Sequence, residues 1–443
     1  MQKRKNRDIN KRLETICETI KNIPNIGLNY IEYISAFIYA ISQDTEKYEN
    51  LINENAPTKY ILNELEEELE KIRKKENSQK LFTNIQFLGA IDQEYYDAIK
   101  KIIIELHDII KNEDKATLSK GFENLLNQSA ERDELKLREG EYYTPRTLID
   151  IMVNLLELKD NMSIYNPETG TGNFIVEAAK KAKIYAFGEE TNIRNYNICM
   201  TNLWLHNVYN KRIQEDIGEN FRFADVALGN PPFVRGDRKD IESNRALQDL
   251  YYKYNIPKTA CNYTKFLVKM IESINTDGKM AIILPHGFLF KKTNAEYYVR
   301  KRIVEKNYIE AIIGLPEKLF YKTKIPVVIL IINKSKKGKK FLFIDASREY
   351  TKKRRNNIME EEALDKIIKT YYNKEEIQNY SHLASLEEIE KNDYDLNIKK
   401  YVSFSYQREG INQEALQENI FRLEKEREKI QKEIEKIVKI HGW

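Results

Sequence analysis

An α/β protein built on a doubly wound, mostly parallel Rossmann-like sheet is what this 443-residue sequence predicts, with a helical region before it and a coiled-coil-like helix after it. Three observations carry that expectation. The apolar stretch Ser163 to Tyr165 runs into Asn166-Pro167-Glu168-Thr169-Gly170-Thr171-Gly172-Asn173-Phe174 and then into helical spacing through Ala182, the strand, glycine turn and helix of a nucleotide-binding unit. Three more strand-like runs follow, each ending in polar groups. Residues 1 to 135 and 403 to 443 instead carry helical periodicity.

Residues 1 to about 135 have few glycines and prolines and include the helical segments Thr58 to Lys75 and Ile91 to Lys111. The opening Met1-Gln2-Lys3-Arg4-Lys5-Asn6-Arg7 leads into no apolar core, so a secretory signal is not expected. In the glycine turn, Gly170 and Gly172 permit positive φ and bring a ligand close to the backbone at a helix start. A second strand, Lys183 to Phe187, ends in Gly188-Glu189-Glu190. A carboxylate there can accept hydrogen bonds from both hydroxyls of a ribose; Glu190 is the first choice and Glu189 its competitor. A third strand, Arg212 to Glu215, places Asp216 where it could accept from an adenine amine.

The fourth strand, Phe223 to Gly229, ends in Asn230-Pro231-Pro232-Phe233. An exocyclic amine such as adenine N6 is a poor nucleophile because its lone pair is delocalised into the ring. Accepting both of its hydrogens pushes the nitrogen toward tetrahedral geometry. Asn230 offers a side-chain oxygen and Pro231 a backbone carbonyl, the prolines stiffen the turn, and Phe233 offers a face on which a base can stack. The same residues also read as an ordinary Asn-Pro turn closing a strand. Four polar strand ends in sequence favour a single crevice beyond the carboxyl ends of the sheet.

Composition narrows the choices. Net charge is only +4, so overall basicity says little about nucleic acid. Five histidines and three cysteines lie without ligand spacing, so no metal site is expected, and the few cysteines suit a reducing, cytoplasmic setting. The longest aliphatic run, Val327 to Ile332, reads as a strand and not a membrane span. Eight lysines and no carboxylate lie between Lys318 and Lys340; either they face phosphates or Lys334 to Lys340 is a solvated hairpin guarding a sheet edge. Residues 234 to 261 form a long connection, either a mobile cover over the site or a loop without function. His286, after another buried-type strand, reads as structural or solvated and not as a catalytic group.

The chain resembles the modification (M) subunit of type I restriction-modification systems, an adenine-N6 DNA methyltransferase of gamma motif order. The likeness covers residues 138 to 402. Gly140-Glu141-Tyr142-Tyr143-Thr144-Pro145-Arg146 stands where the family has a segment lining the methionine end of the cofactor, and residues 166 to 174 stand at its Asp-Pro-Ala-Cys-Gly-Thr-Gly-Gly-Phe loop. Residues 278 to 290, 313 to 320, 341 to 347 and 394 to 402 resemble further family segments. Asn166 replaces the family's Asp, Glu168 a small residue and Asn173 a Gly, so Glu168 is expected to restore the charge that Asn166 lacks.

The resemblance implies a class I methyltransferase sheet and S-adenosyl-L-methionine as cofactor, bound by Glu141 to Arg146, Asn166, Glu168, Gly170 to Asn173, Glu190 and Asp216. It implies catalysis by Asn230, Pro231, Pro232 and Phe233 on an adenine flipped out of double-stranded DNA. Phe320, or Tyr321, is the aromatic expected on the far wall of the base pocket, core packing being the other reading of Phe320. Only 41 residues follow Val402, too few for a target-reading domain, so a separate specificity (S) subunit is expected, two M to one S, with a restriction (R) subunit as a further partner. Leu416, Ile420, Leu423, Ile430, Ile434 and Ile437 fall at coiled-coil spacing and are the expected contact to that partner; a helix packed on its own domain has the same pattern. Methylation of protein glutamine or RNA, and a non-catalytic assembly module of the same fold, are the alternative functions.

Overall fold

The computed structural model describes residues 2–135, 141–214, 223–233, 245–257, 260–292, 294–321, 323–354 and 356–402, with 422, 423, 425–427 and 430 from the C-terminal part. Residues 1–402 form one compact unit and 403–443 a second. The described residues of the second unit are helical; the rest of the heptad pattern lies outside the described residues.

The first 131 residues are helical: α1 (Gln2–Lys21), α2 (Tyr30–Ile41), α3 (Thr45–Asn53), α4 (Thr58–Lys75), the short α5 (Phe87–Ala90), α6 (Tyr96–Asn112) and α7 (Lys115–Glu131). The helix expected from Ile91 starts at Tyr96, after a 3-10 turn at Gln93–Tyr95. In α2 every residue is buried, because its sequence, YIEYISAFIYAI, is apolar on all sides and therefore needs neighbours on all sides. It packs against α1, α4, α6 and α10 (Ile193–Leu205). Helices α8 (Arg146–Leu155) and α9 (Asn173–Lys181) lie between α7 and α10 in the chain and cover the sheet.

Nine strands among the described residues form one sheet: β1 (Ser163–Asn166), β2 (Tyr185–Glu189), β3 (Lys211–Gln214), β4 (Ala224–Gly229), β5 (Ile274–Pro285), β6 (Ile309–Gly314), β7 (Val327–Asn333), β8 (Phe341–Asp345) and β9 (Ser381–Ala384). Their order is β9-β8-β6-β7-β5-β4-β1-β2-β3. Strands β3, β2, β1, β4 and β5 run parallel, while β7 is antiparallel to both β5 and β6. All seven residues of β7 are buried, as a continuous apolar run requires when both sheet faces are covered. On the other face lie α11 (Arg245–Lys253), α12 (Asn262–Ser273) and α13 (Asn294–Glu305).

The Lys334 to Lys340 hairpin is not formed. Strand β8 pairs with β6, not with β7, so this segment crosses over β6. Lys334 Nζ donates to Ile274 O and Lys336 Nζ to Ile309 O, each at 2.7 Å. Those carbonyls open β5 and β6, so these lysines sit at the end of the sheet opposite the carboxyl ends of the parallel strands. Burial pushes the Lys336 amine down to about 8.

Helix α10 belongs to two cores at once. Tyr196, Ile198, Met200 and Leu205 join the core of the N-terminal helices, while Cys199 and Leu203 join the core over the sheet. A polar cluster stitches the same junction. Glu123 on α7 accepts from Lys180 of α9 and from His206 just past α10, and from Arg146 of α8 at 3.4 Å. Burial alone would raise this carboxyl, but the hydrogen bonds from His206 and Lys180 outweigh it and hold the group down at about 2, against an ordinary 4.5. A depressed carboxyl stabilises the fold fully above its ordinary value and loses that contribution as pH falls toward the folded one. Thermal melts of Glu123→Ala should therefore show a loss on the order of 3 kcal/mol at neutral pH, and the gap to the unaltered protein should narrow as pH drops from 4.5 toward 2.

Candidate active site

The glycine turn is held from three sides. Thr169 donates through both its N–H and its hydroxyl to Glu189 O, each at 2.9 Å, which fixes the turn to the end of β2. Asn202 of α10 donates to Thr171 O at 2.9 Å and to Asn173 Oδ1 at 3.2 Å. Gly170 and Gly172 have φ of +55° and +86°, a region that costs an L side chain roughly 1–2 kcal/mol. A Cβ on Gly172 would stand 3.0 Å from Cys199 Sγ, whereas one on Gly170 would meet nothing within 4 Å. Gly172 is thus needed for packing and Gly170 for room in front of the turn.

The two acidic candidates at the end of β2 part company. Alternation along the strand turns Glu189 to the far face, where it accepts from Tyr165 OH at 2.9 Å and pairs with buried Lys269 of α12. Glu190 turns to the glycine side. Its Oε2 accepts from Gly170 N at 2.9 Å and its Oε1 from Asn192 N at 2.7 Å, so it joins the turn to the start of α10.

Asn230, directly after β4, lies next to the segment 141–144. Its Nδ2 donates to Thr144 Oγ1 at 2.9 Å and to Tyr142 O at 3.2 Å. Its Oδ1 is buried and, among the described residues, accepts no hydrogen bond. A buried amide oxygen without a donor costs on the order of 1–3 kcal/mol, so its persistence points to a ligand that brings the donor. The Tyr142 ring lies 5.5 Å from Phe233 and 5.8 Å from Phe320.

The glycine turn, Glu190, Tyr142 and Asn230 border one solvent-open cleft. Its lining includes Glu141, Tyr142, Tyr143, Thr144, Glu168, Gly170, Thr171, Asn173, Glu190 and Asn230, so the glycine turn and the Asn230 amide stand in one cavity. Among the described lining residues there are three carboxylates and no basic side chain, a balance that suits a ligand carrying positive charge.

Other expected residues stand elsewhere. Pro145 caps α8, and the exposed Arg146 side chain turns outward to Glu123, Asp150 and Glu177. Asn166 is fully buried beneath the turn, its Oδ1 accepting from Glu168 N at 3.0 Å. Pro231 and Pro232 are buried and Phe233 half-buried. Phe320 is buried in the core over the sheet with its ring beside Tyr142, and is not among the described residues lining the cleft; Tyr321 turns away, its hydroxyl on Glu131. His286 faces Lys399, Asp345 and Asp395; burial first, then Lys399, lowers its imidazole. Asp216 and residues 234–244 lie outside the described residues. Thr169, Ile149, Phe174 and Asn195 also line the cleft; Thr169 and Phe174 lay within the glycine-turn segment, whereas Ile149 and Asn195 sit on helices where no motif marks them.

The strand order β3-β2-β1-β4-β5-β7-β6, with β7 reversed, is the sheet of Rossmann-like class I methyltransferases. The methyltransferase subunit of a type I restriction-modification system from Streptococcus thermophilus shares this fold, with a TM-score of 0.71 at 23% identity over 90% of this chain and 100% of that one. Residues 113–410 match the N-6 DNA methylase family, and the chain belongs to it. The type I restriction enzyme MjaVII methylase subunit of Methanocaldococcus jannaschii is 31% identical over 382 residues, covering 80% of this chain and 65% of that protein. The MjaVIII methylase subunit of the same organism is 32% identical over 319 residues, 66% of this chain and 54% of that protein. The chain thus spans between 54% and 65% of the length of these two relatives.

The two glycines should separate experimentally. Gly170→Val is expected to keep the melting temperature within a few degrees, through strain of roughly 1–2 kcal/mol, but to abolish the heat of S-adenosylmethionine binding in calorimetric titration. Gly172→Val should instead melt markedly earlier, because its side chain must displace Cys199.

Proposed function

We propose that the chain transfers a methyl group from S-adenosylmethionine to the N6 amine of adenine in DNA, as the modification subunit of a type I restriction-modification complex. The observation that carries this reading is Asn230 Oδ1, a buried acceptor without a donor among the described residues, on the wall of the cleft that the glycine turn also lines. The acidic lining suits the cofactor: in this reading Glu190 would accept from the ribose hydroxyls, and Glu141 and Glu168 would supply negative charge for the sulfonium and ammonium groups. Bound there, S-adenosylmethionine supplies an electrophilic methyl group. The chain's own residues do the rest. Asn230 Oδ1 and Pro231 O accept the two amine hydrogens and turn the nitrogen lone pair toward the cleft, while Tyr142, Phe233 and Phe320 hold the extruded base by its faces. Extrusion costs a few kcal/mol, which stacking at roughly 1–3 kcal/mol per base largely offsets.

Sequence-selective methylation also needs surface that reads base edges in a groove. A separate specificity subunit, bound by two modification subunits, supplies it in this reading, and a restriction subunit is a further partner. Leu423 and Ile430, seven residues apart in the C-terminal helix, are 59% and 53% exposed, apolar positions suited to a partner helix. The methylase-subunit relatives support the same assignment. Asn230→Ala, assayed with the specificity subunit, should lose roughly a hundredfold or more of its turnover while its calorimetric affinity for S-adenosylmethionine stays unchanged. Near-normal turnover would remove Asn230 from the reaction.

A further inference from the structure

We propose that Thr144 is a positioning residue that, together with the carbonyl of Tyr142, holds the Asn230 amide with its oxygen toward the cleft. This rests on the role of Asn230 given above. An asparagine amide has a donor end and an acceptor end that are nearly equal in shape. With Oδ1 toward the cleft it accepts from an amine; turned over, it would present N–H groups and bind a purine carbonyl instead. The orientation is therefore a chemical choice that the surroundings must enforce.

Two contacts enforce it. Tyr142 O can only accept, so the group facing it at 3.2 Å is the amide nitrogen. Thr144 Oγ1, at the shorter 2.9 Å, takes the other N–H. A hydroxyl can face either end of an amide, so the Tyr142 carbonyl sets the polarity and Thr144 fixes the rotation; both hydrogens of Nδ2 are then used within one tripeptide, and the oxygen is left toward the cleft. Thr144 suits the task because it is fixed on every side. It is 8% exposed, its β-branched side chain has few rotamers, and it precedes Pro145, whose carbonyl accepts from Leu148 N at 3.0 Å and Ile149 N at 3.3 Å as α8 begins. Helix α8 thus anchors a hydroxyl whose partner lies 86 residues further along the chain.

The test uses the full chain with its specificity subunit and a duplex carrying the site mapped by sequencing methylated host DNA. Thr144→Val is expected to lower kcat about tenfold to a hundredfold and to leave the KM for S-adenosylmethionine unchanged. Thr144→Ser, which keeps the hydroxyl, should recover most of the rate. Normal kcat in Thr144→Val, with Asn230→Ala inactive, would overturn the positioning role and leave the proposed function standing. Weakened cofactor binding in Thr144→Val that serine does not restore would also overturn it, since the hydroxyl would then serve the cofactor or the fold. An active Asn230→Ala would strike both.

Discussion

Parallel pairing of β1 with β4 is the constraint on which the cleft depends. Ile164 pairs with Val226 and Tyr165 with Ala227, so the glycine turn after β1 and Asn230 after β4 leave the sheet side by side. A carboxylate locks the register at the other end. Asp225 accepts from Ser163 N at 2.7 Å and Ser163 Oγ at 2.8 Å, and from Asn275 Nδ2 at 3.0 Å, joining the first residues of three adjacent strands. A slip by one residue would turn Asp225 to the opposite face and break this clamp. The turn and the amide would then no longer share a cavity.

Around that constraint the polar groups divide their work by sheet face. Glu189, Tyr165 and Lys269 satisfy one another beneath the turn, while Glu190 braces the turn from the cleft side. Segment 141–144 does two things at once: its side chains line the cleft, and Tyr142 O and Thr144 Oγ1 orient Asn230. The N-terminal helices reach this machinery through α10, which is buried on both sides and carries Asn195 into the cleft and Asn202 onto the turn. In these terms the helical region supports the back of the cleft. Among the described residues no helix is long and apolar enough to cross a membrane.

Much of the sheet was legible because parallel strands covered on both faces are short apolar runs that end in polar residues. The four strands that frame the site stand within two residues of their expected starts. Glu190 was separable from Glu189 only in three dimensions, since neighbouring residues on a strand face opposite ways and the sequence does not say which face holds the ligand. Arg146 misled for a related reason: it follows the cleft segment directly, but α8 begins there and turns its guanidinium toward Glu123. The role of Thr144 was hidden because its partner is far away in sequence. The reversed β7 and the crossing of Lys334 to Lys340 over β6 were hidden too, because strand order is set by helix packing and not by any local signal.

The fate of the methyl group tests the chemistry most directly. S-adenosylmethionine with an isotopically labelled methyl group can be incubated with the chain, its specificity subunit and DNA from cells lacking this methylase. The DNA is then digested to nucleosides. Label is expected in the N6-methylated adenine nucleoside, the amine that Asn230 Oδ1 is placed to accept. Label in 5-methylcytosine, formed at a carbon that offers no hydrogen to that oxygen, or label found only in protein, would contradict it.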